Sequence, residues 1–188
     1  METSMTAAHT VIKNFTKKGF NMLGSGCYAA VFESNVDPNL VYKVGISTTD
    51  PFLSYIQDSS LADNLHFPRI YDIVYLNGGY LVKMERLEPI PSHKVEMSKE
   101  LRSVVHEDIH TLKHLKASNE LSHIATRIRE LADSLDVKLD LHEGNIMMRG
   151  VTPVITDPLC DHNIYSEWSL DTWLGQKNMC KSSYSYSY

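Results

Sequence analysis

Eighteen residues, Asp140 to Asp157, restrict the folds open to this chain more than any other stretch. They read Asp-Leu-His-Glu-Gly-Asn-Ile-Met-Met-Arg-Gly-Val-Thr-Pro-Val-Ile-Thr-Asp. Asp140 and Asn145 share one short loop with Gly144. Ile146-Met147-Met148 then reads as a strand, Arg149-Gly150 as a turn, and Pro153 to Thr156 as the returning strand. The return brings Asp157 beside Asn145, so the fold must hold two loops together at the end of a small hairpin. Phosphoryl transfer from a nucleoside triphosphate needs such a polar set: a carboxylate at the acceptor hydroxyl, and an amide and a second carboxylate on a divalent cation. In this reading Asp140 is the base, while Asn145 and Asp157 are the magnesium ligands. Neighbouring carboxylates repel, which gives a cation a physical reason to be there.

The 188 residues suffice for one domain or two small lobes. A hydrophobic share of 43% and a charged share of 22% are those of a soluble globular protein. The net charge of −5 disfavours non-specific binding to nucleic acid or to anionic membrane. No apolar run approaches the roughly 20 residues of a membrane helix, and the N-terminus lacks the pattern of a secretory signal. Three scattered cysteines, Cys27, Cys160 and Cys180, read as reduced thiols in a cytosol. The expected location is therefore cytoplasmic.

Residues 1–18 are polar, with one helical turn of contact at Val11, Ile12 and Phe15. Phe20 to Phe32 flank Gly24-Ser25-Gly26 with apolar residues, as in a hairpin, and Leu40 to Val44 form a further strand. The glycines serve either as a plain turn or as a loop whose backbone N–H groups face phosphate oxygens. Val31 suits a residue packed over an adenine. Lys43 is either a surface lysine on an edge strand or a point charge for the α- and β-phosphates. Residues 48–65 read as a helix with Pro51 in its first turn. A helix glutamate would ordinarily pair with such a lysine, yet no glutamate lies between Glu33 and Glu85. Asp58 and Asp63 are shorter substitutes.

Ile70–Leu76 and Tyr80–Met84 around Asn77-Gly78-Gly79 read as a strand, a tight turn and a strand. The proline-punctuated Glu85 to Pro91 is either an ordinary loop or a hinge whose backbone at Glu85 and Leu87 meets the adenine edge. Helical periods follow. One stripe runs through Leu101, Val104, Val105, Ile109 and Leu112. A second starts near Asn119 and runs through Leu121, Ile124, Ala125, Ile128, Leu131, Ala132 and Leu135. Strand thus dominates the first half and helix the second. The tail from Lys181 carries seven Ser and Tyr hydroxyls and reads as mobile and open to self-phosphorylation.

Gly24-Ser25-Gly26, Val41-Tyr42-Lys43-Val44-Gly45, Asp140-Leu-His-Glu-Gly-Asn145-Ile-Met and Ile155-Thr-Asp157-Pro158 resemble the early serine/threonine protein kinases of podovirus-type lytic bacteriophages. The Asp-Leu-His-x-Gly-Asn loop is also similar to that of aminoglycoside phosphotransferases. The resemblance covers roughly residues 20–160. It implies an α+β, compact bilobal protein-kinase-like fold with an antiparallel-sheet N-lobe at 1–86, a reduced, mainly helical C-lobe at 87–175, and a tail at 176–188. It implies ATP and Mg2+ as cofactors, and Ser/Thr phosphorylation of host proteins, transcription machinery among them, during infection. Two other readings stay open: an aminoglycoside-type small-molecule phosphotransferase, and a degenerate kinase fold that inhibits a host protein by contact. The chain departs from the family pattern in several places. Lys138 replaces a His, His142 a Lys, and Pro158 the Phe of Asp-Phe-Gly; no Ala-Pro-Glu follows, and 31 residues remain after Asp157. A long activation segment and a further C-terminal domain are therefore not expected.

One rival motif runs through His106-Glu107-Asp108-Ile109-His110, which matches the His-Glu-x-x-His of zinc proteases, with Glu130 as a conceivable third ligand. A zinc reading leaves every other motif unexplained, so His106, His110 and His114 read as the polar face of a solvated helix. Cys160-Asp161-His162 reads as a plain loop.

Overall fold

The computed structural model describes residues 6–91 and 119–161. They form an α+β structure of antiparallel sheets and few helices. No helix among them is long and apolar enough to cross a membrane. The stripe at 101–112, the His106–His110 motif and the tail lie outside the described residues. The described chain falls into two compact units, residues 6–50 with 70–86 and residues 51–69 with 87–91 and 119–161.

The first unit is a five-stranded sheet. Its strands are β1 (Met22–Ser25), β2 (Ala29–Glu33), β3 (Leu40–Gly45), β4 (Ile70–Leu76) and β5 (Gly79–Glu85), in spatial order β1-β2-β3-β5-β4. Helix α1 (Ala7–Lys17) covers one face. Thr6 caps it by accepting from the His9 N–H, and the Ala7 N–H ties its start to the Asn77 carbonyl in the β4–β5 turn. Ala8 and Ile12 are buried with Ala30, Phe32 and Val44. Phe15 stacks on Phe20 at 4.5 Å and meets Phe32 edge-on at 5.3 Å. The helix stops at Gly19, whose φ of 76° lets the Phe20 N–H turn back to the Phe15 carbonyl. The sequence reading allowed one turn here. A full helix forms because the sheet supplies the apolar partner that its narrow stripe lacks in isolation.

The second unit contains α2 (Pro51–Ile56), α3 (Asn119–Leu135) and five short strands: β6 (Glu88–Pro89), β7 (Lys138–Leu139), β8 (Ile146–Arg149), β9 (Thr152–Ile155) and β10 (Leu159–Cys160). Strands β6, β8 and β9 make one sheet, and β7 pairs with β10. Helix α3 buries Ile124, Ala125, Ile128 and Ala132, the stripe read from the sequence. It ends where Asp136 adopts φ 53° and the Val137 N–H reaches the Ala132 carbonyl.

The expected helix over 48–65 is not continuous. α2 stops at Ile56, and one 3-10 turn follows at Ser59–Leu61. Asp58 explains the break: its carboxylate accepts from the Ser60 N–H at 3.0 Å and the Ser60 hydroxyl at 2.6 Å, a local turn that competes with helix. Arg127 on α3 donates to the same carboxylate through Nε at 2.9 Å and pairs with it through Nη2 at 2.8 Å.

Desolvation pushes the Asp58 carboxyl upward. Hydrogen bonds from Ser60 and Arg127, with the Arg127 charge, outweigh it and leave the group below its ordinary value. A depressed folded-state pKa contributes stability above the unfolded value, and that stability is lost as pH falls through the folded one. Arg127→Met should therefore cost roughly 1 kcal/mol near neutral pH, after discounting for the exposed side of the guanidinium. The deficit should shrink in acid as wild-type Asp58 protonates. Denaturant titrations of both proteins across the acid range check this.

One other expectation changes. Cys27 is disulfide-bonded whereas Cys160 is not, so the reading of three reduced cysteines fails at Cys27. Disulfide connectivity is not legible from spacing. Residues Pro51–Arg69 group with the second unit.

Candidate functional site

The loop that starts at Asp140 is closed by its own backbone. Leu139 pairs with Leu159 across β7 and β10, and the Asp140 N–H donates to the Pro158 carbonyl at 2.7 Å. At the other end Ile146 pairs with Ile155 across β8 and β9, and the Thr156 N–H donates to the Asn145 carbonyl at 2.8 Å. The 140–145 loop is thus pinned at both ends against 156–158. Asp140, Asn145 and Asp157 come together within the second unit, through hydrogen bonds that any side chain would permit.

Within the loop, Asn145 Nδ2 donates to the Asp140 carbonyl at 2.7 Å. A carbonyl only accepts, so it fixes the amide orientation and leaves the Asn145 oxygen as the pole suited to a cation. A 3-10 turn spans Glu143–Asn145, and His142 caps it by accepting from the Gly144 N–H at 3.0 Å through Nδ1. His142 Nε2 lies 3.9 Å from the Asp140 carboxylate. The buried Leu141 and Ile146 anchor the loop from below.

The hairpin that delivers Asp157 is clamped by the segment after α2. The Arg149 guanidinium forks onto the Leu65 and Phe67 carbonyls at 3.0 and 2.9 Å. His66 Nδ1 meets the Pro153 carbonyl at 2.8 Å, and the Ile155 N–H donates to the His66 carbonyl at 2.9 Å. Tyr55 on α2 is fully buried and donates to the Ile155 carbonyl at 2.8 Å. Burial pushes its phenol well above the ordinary value, and the charges of Asp157 and Asp58 push the same way. Tyr55 therefore stays a donor behind Asp157. The sequence reading missed this role, because a tyrosine in an apolar run gives no sign of which carbonyl it meets.

In the first unit, Gly24 and Ser25 end β1, and the Gly26 N–H closes the turn on the Ala29 carbonyl at 2.9 Å. A Cβ built on Gly24 or Gly26 would meet nothing within 4 Å, so one side of this turn is open. Val31 is the register partner of Lys43, and Lys43 that of Val82. These three share the face opposite α1, because side chains alternate along a strand. Lys43 is only 6% exposed, on a strand flanked by two others. The edge-strand alternative for this lysine is excluded. Glu85 and Leu87 are buried where the chain leaves β5 and enters β6.

Asp58 is engaged by Arg127 and Ser60. Glu130 is paired with Arg127 and so is not a spare zinc ligand. Among the described residues no group of three or more His, Cys, Asp and Glu side chains is gathered. One amide oxygen and one carboxylate are a sparse donor set. That suits magnesium, which keeps several waters and takes the rest of its ligands from substrate phosphates.

A protein family described as bacteriophage T7 protein kinase 0.7 matches residues 3–168. No curated protein matches the chain.

Proposed function

The chain belongs to the bacteriophage T7 protein kinase family, and from that premise we propose that it is an ATP-dependent protein kinase of compact bilobal kinase-like fold. Its acceptors are serine and threonine hydroxyls of host proteins in the bacterial cytoplasm, transcription machinery included. The observation that supports the reading is the pinned loop: the Asp140–Pro158 and Thr156–Asn145 backbone bonds hold the segments of Asp140, Asn145 and Asp157 side by side.

In this reading the acceptor hydroxyl oxygen attacks the γ-phosphorus of ATP as the bond to the β,γ-bridging oxygen breaks and ADP leaves. Asp140 orients the hydroxyl and takes its proton late. The Asn145 oxygen and the Asp157 carboxylate would hold Mg2+, and the ion would supply positive charge against the phosphates. Lys43 lies against the α- and β-phosphates, and the open turn at Gly24, Ser25 and Gly26 supplies backbone N–H groups to them. Val31 packs over the adenine, and the backbone at Glu85 and Leu87 binds its edge.

Purified protein with Mg2+ and γ-labelled ATP, mixed with bacterial lysate, should label proteins on serine and threonine. Labelling of added aminoglycosides with no labelled protein would instead favour the small-molecule reading. Nucleotide binding with no transfer to either acceptor would favour inhibition by contact, and would overturn the proposal.

A further inference from the structure

Lys43 is buried, a buried ammonium is costly unless it faces an anion, and the helix that usually supplies one carries no glutamate in this chain. We propose that Asp50, held in place by Tyr80, is the counter-charge of Lys43 and replaces that glutamate. The inference deepens the kinase reading, since it rests on Lys43 as the phosphate-facing lysine.

The geometry lies wholly within the first unit. Gly45 is two residues beyond Lys43 on β3, so both face the same side of the sheet. Tyr80 is the register partner of Gly45, and its ring occupies the space a Gly45 side chain would take: an ideal Cβ there would lie 2.1 Å from two ring carbons and 2.6 Å from the phenol oxygen. The ring therefore lies flat over β3 on the Lys43 side. Its hydroxyl donates to Asp50 Oδ2 at 2.6 Å. Two contacts of 2.6 Å thus separate the Asp50 carboxylate from the Cβ position of Gly45, on a face where neighbouring Cβ positions along a strand lie roughly 7 Å apart. A four-carbon lysine stem spans that gap.

Burial supports the assignment. Lys43 and Asp50 are each 6% exposed, and buried ions are costly unless paired. Two other carboxylates of the unit are placed elsewhere. Glu85 is buried, but it is out of phase with Val82 and so faces the opposite side. Glu33 shares the Lys43 face, but its two oxygens are taken by Arg86 and by Asn21. Asp50 and Tyr80 gave no signal in the sequence, since Asp-Pro reads only as the start of a helix. Gly45 was visible, but its purpose, room for a ring, was not.

The test uses the full chain. Asp50→Asn keeps an acceptor for the Tyr80 hydroxyl and keeps the capping capacity of the helix start, and it removes only the charge. Lys43→Met and Asp50→Asn should each lower the midpoint of denaturant unfolding, and the double variant should lose no more than the worse single variant. Tyr80→Phe should lower it less. Phosphoryl transfer should fall roughly 10- to 100-fold in Asp50→Asn, with no further loss when Lys43→Ala is already present. Unfolding losses that add in full in the double variant, or transfer losses that multiply, would overturn the pairing. If the wild-type protein transfers no phosphate, the kinase reading falls, and the unfolding cycle still decides the pairing. If Asp50→Asn fails to fold, the cycle of Tyr80→Phe with Lys43→Met decides it.

Discussion

Asp140→Ala should leave the protein folded and lower phosphoryl transfer by about 100- to 10,000-fold, the range for removal of a positioned general base. Stability and activity separate at this residue because the main chain does the structural work. The Asp140 N–H holds the Pro158 carbonyl, and the Asp140 carbonyl orients the Asn145 amide. Alanine keeps both. The side chain's neighbour His142 lies 3.9 Å away and is half exposed, so losing that contact changes stability little. Circular dichroism and denaturant titration should match wild type, while labelled-phosphate transfer collapses. Undiminished transfer by Asp140→Ala would remove Asp140 from the chemistry.

Gly79→Ala should do the reverse, destroying the first unit with no direct effect on any chemical group. A Cβ on Gly79 would lie 2.1 Å from the Gly45 carbonyl oxygen and 2.7 Å from the Ala8 methyl. The first is backbone in the middle of the sheet, and the second belongs to the helix packed over it. Neither can swing aside as a long side chain would. Overpacking of this kind costs about 3 kcal/mol or more, a large part of the stability of a small domain. The midpoint of denaturant unfolding should drop sharply, or the protein should fail to accumulate in soluble form. Gly24→Ala is the matched control: its Cβ enters open space, so unfolding should stay within roughly 0.5 kcal/mol of wild type. Wild-type stability for Gly79→Ala would show that β3, β5 and α1 are not packed as described.

The two halves of the chain were unequally legible. Ile70 to Glu85 carries its own punctuation, apolar runs on either side of Asn77-Gly78, and the hairpin forms there. The stripe from Ile124 to Ala132 is periodic enough to mark a helix by itself. Lys43 could be placed on a strand, but not in its interior, because β3 acquires its second neighbour only when β5 returns from far along the chain. Residues 48–65 look helical in apolar spacing, yet the Asp58 carboxylate prefers Ser60 and Arg127, and only the fold brings Arg127 there. The Asp140–Asn145 spacing was readable as a loop. The Tyr55, His66 and Arg149 contacts that brace the hairpin behind it were not, since each joins a side chain to a carbonyl, and a carbonyl leaves no mark on residue identity.

Among the described residues the first unit is built from two separated pieces of chain, with 51–69 between them in the other unit. Its central strand β3 waits for β5, which lies some forty residues downstream. During synthesis the amino-terminal piece therefore emerges from the ribosome with its sheet unfinished, and stays so until Arg86 is clear of the exit tunnel. A nonsense codon between Gly45 and Gly79 would yield a fragment whose β3 edge has no partner strand, a target for proteolysis rather than a partly working lobe.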